Sequence, residues 1–398
     1  MTMPPLPEPL PHHRLARLSV RHRWWRPLVG TLVVAVVYMI AVGVLYVVLE
    51  ELGSRKGYPE GPDGAVEFGP VSGTAVDLLL LAVATPVVLL AVRWIGQRPA
   101  GTVSSVTGRL RWRWLILCML TALPIVALAM GGMFLLPADG DEEFRWAGWA
   151  VFGPALAMLV VLVPVQAAAE EYVFRGWLTQ AVGAFVRSPW FAFLPQAVLF
   201  AAAHGWGTPW GFTDLVVFGV AAGWLTWRSG GLEASIGLHT VNNLLAFAGS
   251  AATVDGLRSD ETAADASWPL VALDVTSIAL YTAAVVWLLR RRPQARTAPA
   301  PLPPGPPPAF ATPYAPVTGT PATPPWAGRP TPGTPVPPPY PGTPVPPPYP
   351  GTPVPPRTPA PKRAPPTSRE RPLPVRASAP GRAEPQGPDR DRIRSIAC

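Results

Sequence analysis

The chain of 398 residues has two cysteines, Cys118 inside an apolar run and Cys398 at the end, which excludes a disulfide framework and a cysteine-built metal centre. Charge is scarce too, at 14% of residues, and there are five histidines. With 49% hydrophobic residues and a mean hydropathy of +0.26, such a chain does not read as a soluble domain. The formal charge of +8 does not point to nucleic acid either. Residues 291–398 carry 14 Lys/Arg against 4 Asp/Glu, a surplus of 10 that exceeds the total, so the remainder is about neutral.

Long apolar runs are abundant. Window hydropathy predicts eight spans, roughly 27–49, 74–95, 114–136, 147–168, 189–205, 212–228, 231–249 and 268–289. The fold class expected is all-α, a polytopic membrane helix bundle in contact with membrane lipid. Arg14, Arg17, Arg21, Arg23 and Arg26 precede the first span, and Arg93, Arg98, Arg109, Arg111 and Arg113 join the second to the third. Acidic residues such as Glu51, Glu60, Glu67, Asp139, Asp141 and Asp255 populate the alternate loops. The positive-inside rule then places the protein in the cell membrane as a multi-pass chain with both termini cytoplasmic. The segments read as a basic arm (1–26), N-terminal transmembrane helices (27–146), a core (147–250), an outer loop with the last span (251–290) and a tail (291–398).

The tail is a different material. From residue 293 it holds 37 of the 56 prolines and repeats GTPVPPPYP at 333–341 and 342–350. Such a composition cannot bury a core and is expected to be disordered or locally polyproline II. It could dock proline-recognising domains or, through its arginines, anionic lipid, or serve as a solvated spacer.

Within the core, AAAEEYVFRG (167–176) sets two carboxylates and a guanidinium at the end of an apolar run. An ionised side chain at the bilayer centre costs at least about 2.5 kcal/mol, so these groups need partners or water. Glu171 and Arg175 are spaced i, i+4 with the acid first, the favourable order for an ion pair, whereas Glu170 is turned by about 100° and is left free. His12, His13 and His22 fall in the basic arm, which leaves His204 and His239 within apolar runs. FAAAH puts Phe200 and His204 on one helical face, and HTVNN puts His239 and Asn243 on one face of another. The three alanines favour close approach of helices in lipid. A carboxylate, two imidazoles and an amide converging in a low-dielectric cavity can support hydrolysis. Asp214, Glu233 and Asp274, near span ends, are expected to reach interfacial water and carry no catalytic role.

The ordered set EEYVFR, FAAAH and HTVNN resembles the EExxxR, FxxxH and HxxxN signatures of the CPBP family, which includes CaaX-type prenyl endopeptidases and bacteriocin-processing (Abi) proteins. The resemblance covers about 147–250. It implies an intramembrane endopeptidase acting on a membrane-associated or lipidated peptide. Glu170 would be the general base, His204 would position the water, Glu171 and Arg175 would form a structural ion pair, and His239 and Asn243 would donate to the oxyanion.

The family is also described as metalloproteases, so Glu170, His204 and His239 are candidate zinc ligands. Metal-free glutamate catalysis is ranked ahead, because no HExxH pair lies on one helix and Asn243 is a poor zinc ligand. The alternative from another class is a noncatalytic scaffold or transporter whose Glu/His cluster binds a substrate. Simple crossings would leave Glu170 and His204 on opposite sides of the membrane. A helix break at Pro164, with a second segment over 165–186, is expected to carry Glu170 deeper.

Overall fold

The structure, a computed structural model, describes residues 8–62, 64–133, 144–258 and 262–299. The Pro-rich repeats, and with them the expectations about the tail beyond residue 299, lie outside these residues.

The chain is a bundle of helices, as its hydropathy demands. In order they are α1 (Trp25–Arg55), α2 (Pro70–Ala82), α3 (Ala84–Trp94), α4 (Trp112–Met133), α5 (Trp149–Glu171), α6 (Thr179–Gly183), α7 (Trp190–Ala203), α8 (Pro209–Ser229), α9 (Glu233–Ala252) and α10 (Trp268–Arg291). The described residues of all eight expected spans lie largely on helix. Among the described residues, five helical runs are long and apolar enough to cross a membrane: Trp25–Arg55, Pro70–Trp94, Trp112–Met133, Trp149–Gly183 and Trp268–Arg291. The apolar α7 is shorter. The more polar α9 sits inside the bundle, and its residues from Glu233 to Val241 are all buried. Small residues allow this packing. A Cβ on Gly237 would lie 3.0 Å from Cys118 Cβ of α4, and one on Gly219 of α8 would lie 2.7 Å from Ala197 Cβ of α7.

The helix does not break at Pro164. Both Pro154 and Pro164 lie inside α5, since a proline ring removes one backbone bond and the neighbouring helices hold the remainder in place. The irregularity falls later, where residues Tyr172–Leu178 adopt π winding before α6 resumes the α form. Glu170 therefore lies 13 residues before the end of a continuous helix, and His204 lies 14 residues after the start of α7. At 1.5 Å per residue both stand about 20 Å from the 184–189 connection, at a common depth. The expected depth of Glu170 is met by extension past Glu171 and not by a break.

Residues 10–18 and 297–298 are more ordered than their composition suggests. The arm was expected as a separate basic segment, yet residues His12–Leu18 form a 3-10 helix with His12, His13 and Leu15 fully buried. His12 Nε2 lies 3.1 Å from the Val103 carbonyl and His13 Nε2 3.0 Å from that of Arg187. Burial holds the His12 imidazole down to about 3, and lowers His13 as well. The boundary at 291 also moves. Strand β1 (Leu10–Pro11) pairs antiparallel with β2 (Thr297–Ala298), so residues up to 299 belong to the folded body. The hydrogen bonds of the strand pair and the burial of Ala298 outweigh the loop-like composition there. Glu233 is likewise fully buried and not at an interface with water, because the Arg111 guanidinium and backbone N–H both bond its carboxylate.

Candidate active site

Glu170 and Glu171 end α5, and the rotation of a helix by about 100° per residue sends them into different surroundings. Glu171 faces the protein interior. Its Oε1 accepts from Arg175 Nη1 at 2.9 Å and from His239 Nδ1 at 2.9 Å, and Glu171 and Arg175 are fully buried. The guanidinium of Arg175 lies 4.1 Å from the Phe200 ring centroid and 5.4 Å from that of Phe218, a cation–π cradle that replaces some of the lost hydration. Phe200 also contacts the rings of His204, at 4.6 Å, and His239, at 5.8 Å. The aromatic of the FAAAH segment is thus the hub on which the ion pair and both imidazoles rest.

Glu170 is not free. Its Oε1 accepts from Gln166 Nε2 at 2.6 Å, and Gln166 Oε1 in turn accepts from Asn243 Nδ2 at 3.3 Å. The other oxygen, Oε2, has no hydrogen-bond partner and lies 3.7 Å from His239 Nε2. Gln166 has a local signal in the sequence: it sits one helical turn before Glu170, at the i−4 position.

The imidazoles are oriented by their second nitrogens. His204 Nδ1 lies 2.9 Å from the Phe200 carbonyl, which can only accept, so Nδ1 carries a proton and Nε2 is the nitrogen left to accept when the ring is neutral. His239 Nδ1 likewise donates to Glu171, and its Nε2 can donate only when the ring is protonated. Asn243 lies one turn from His239 on α9, as its spacing requires, but its amide reaches Gln166.

Glu170 and His204 line one cavity of about 580 Å³. The rest of its wall is largely apolar, with Phe174, Trp177 and Ala84 among the lining residues, and Thr31, Tyr38 and Thr262 adding hydroxyls. Thr262 also donates to the backbone carbonyl of His204 at 3.1 Å. The contribution of α1, through Thr31, Val34, Ala35 and Tyr38, had no motif to announce it. Its only signal is that these four positions share a helical face.

Glu170, His204 and His239 do not form a metal-holding group, and among the described residues no three His, Cys, Asp or Glu side chains do. One oxygen of Glu170 is already committed to Gln166. The donor arrangement does not fit a His₂Glu zinc site.

Residues 152–245 match the family model of type II CAAX prenyl endopeptidases, Rce1-like. The chain is also 28% identical over 229 residues to YyaK of Bacillus subtilis (strain 168), described as an uncharacterized protein, an alignment covering 55% of this chain and 76% of that one. No solved structure matches. The family match spans all three motifs and bears out the resemblance they carry.

Proposed function

We propose that this chain, with its Rce1-like core, is an intramembrane endopeptidase that cleaves a peptide bond in a membrane-associated or lipidated peptide by means of a water activated by Glu170. The observation that carries this reading is the shared cavity: Glu170, one of whose carboxylate oxygens has no hydrogen-bond partner, and the oriented His204 imidazole line one mostly apolar chamber large enough for a peptide segment.

In this mechanism a water bound between the two side chains gives a proton to Glu170 Oε2 while His204 Nε2 accepts its other hydrogen and aims the oxygen lone pair at the scissile carbonyl. Protonated His239, backed by the Glu171 carboxylate, donates from Nε2 to the tetrahedral oxyanion. Collapse of that intermediate breaks the C–N bond, and Glu170 returns the proton to the leaving amine. Asn243 acts at one remove by fixing Gln166, which fixes Glu170. The basic end of the bundle, with both termini, faces the cytoplasm in this reading.

The test is cleavage of membrane peptides by the purified full chain in lipid nanodiscs. Glu170→Gln and His204→Ala are each expected to lower kcat at least about a hundredfold while the melting temperature holds. Near-normal turnover in either variant would remove the catalytic reading and leave a binding role for the cavity.

A further inference from the structure

A second site lies at the arginine-rich end of the bundle, away from Glu170. It is a small cavity of about 20 Å³ among Ala16, His22, Arg26, Gly96, Arg98 and Trp177. Two of its guanidinium groups are incompletely satisfied. Arg98 is 3% exposed and bonds Thr102 Oγ1 and Gln180 Oε1 through its Nη atoms, yet its Nε is buried without a partner. Arg26 Nη1 is also buried without a partner. Among the described residues no carboxylate forms an ion pair with either arginine, and burial alone draws the Arg98 guanidinium down to about 9. A cation taken out of water with no counterion is costly, and unused N–H donors add to that cost. Both deficits are met by an anion with several acceptor oxygens that can reach two guanidinium groups at once, as a phosphate group lodged at the mouth of the cavity does.

The surroundings say where that phosphate comes from. The cavity shares Pro27 and Ala181 with an adjoining groove of about 330 Å³ whose remaining wall is Leu28, Thr31, Leu178, Val182 and Phe185. Leu28 and Phe185 are 56% and 49% exposed on the flank of the bundle, where lipid would lie. An anion site opening into an apolar trough at the end of a membrane helix matches the two ends of one molecule.

We propose that this cavity and groove form a binding site for an anionic phospholipid, with the headgroup phosphate held by Arg26 and Arg98 and an acyl chain along Leu28, Val182 and Phe185. His22 closes the headgroup side. Its Nδ1 is tied to the Ala16 carbonyl at 3.2 Å, so the folded arm forms one wall of the site. Trp177 borders both this cavity and the one containing Glu170, which places the lipid against the π-wound turn that follows the two glutamates. The site stands on charge and shape and does not depend on what the Glu170 cavity does.

Melting of the purified full chain in neutral detergent, titrated with phosphatidylglycerol, phosphatidylcholine or inorganic phosphate, tests it. Phosphatidylglycerol is expected to raise the melting temperature with an apparent affinity at least about tenfold tighter than phosphatidylcholine. Inorganic phosphate at matched concentration is expected to have little effect. Arg26→Gln, which leaves the Arg98 bonds to Thr102 and Gln180 intact, is expected to abolish the preference. Leu28→Asp is expected to weaken phosphatidylglycerol alone. An Arg98→Gln protein that does not fold leaves the Arg26→Gln and Leu28→Asp results to decide. Equal responses to the two lipids, an undiminished preference in Arg26→Gln, or full stabilisation by inorganic phosphate would each overturn the assignment.

Discussion

Gln166 donates through Nε2 to Glu170 Oε1 at 2.6 Å, one turn before it on the same helix. The bond fixes one carboxylate oxygen and leaves the other, Oε2, without a hydrogen-bond partner. Gln166→Leu is expected to lower kcat by about ten- to a hundredfold with KM little changed, because a base misplaced by a fraction of an ångström loses its near-attack geometry while the cavity wall is intact. Asn243→Ala should act in the same direction. The double variant should be no worse than Gln166→Leu, since both act through one chain of bonds. Steady-state kinetics of the three proteins check this.

Glu171 and Glu170 should separate when each is replaced. Removing Glu171 strands a fully buried Arg175 and unties His239, and breaking a buried pair costs about 3–5 kcal/mol. Glu171→Ala is therefore expected to reduce the yield of folded protein and its melting temperature. Glu170→Gln keeps the shape and the bond acceptor for Gln166, so it should melt at or slightly above the parent while losing turnover. A Glu170→Gln protein melting far below Glu171→Ala would reverse the two assignments.

Docking of the N-terminal arm should depend on pH. Burial holds His12 at about 3 in the folded arm, whereas a released arm binds a proton near the ordinary histidine value of about 6.5. Between these limits the released state carries more protons, so docking is fully stable above about pH 6.5. It weakens as pH falls toward 3, by up to about 1.4 kcal/mol for each pH unit. The protection factors of residues 10–18, taken against the intrinsic exchange rate at each pH, should fall between pH 7.5 and pH 5. In His12→Gln the fall should be smaller, the remainder coming from His13.

Gly183 is the point where α6 meets the arm, and a methyl group there would overlap the His13 carbonyl. Gly183→Ala is expected to expel the 12–18 helix. Trypsin should then cut after Arg14 or Arg17 faster than in the parent, where the folded 12–18 helix and the bond of Arg17 Nε to the Ala184 carbonyl at 2.6 Å hold these sites in place. Unchanged protection would show that α6 yields instead.

What the sequence determined by itself was whatever depends on local spacing or on solvent. Apolar runs fix helices, because a backbone in lipid must satisfy its own hydrogen bonds. The i, i+4 spacing of Glu171 and Arg175 fixes their ion pair, and three short ordered motifs carry the resemblance that the Rce1-like match over residues 152–245 bears out. Tertiary structure decided the rest. Whether Glu170 and His204 meet depends on how far α5 runs beyond Glu171 and how short α7 is, and hydropathy lost the thread at the very glutamates that interrupt it. The burial of His12 and His13 could not be read from an arginine-rich arm, since their partners, Val103 and Arg187, lie 91 and 174 residues away. The same distance in sequence hid the cavity wall supplied by α1, and the meeting of Arg26 with Arg98. Neither has a local signature, because each is created only when separate helices pack.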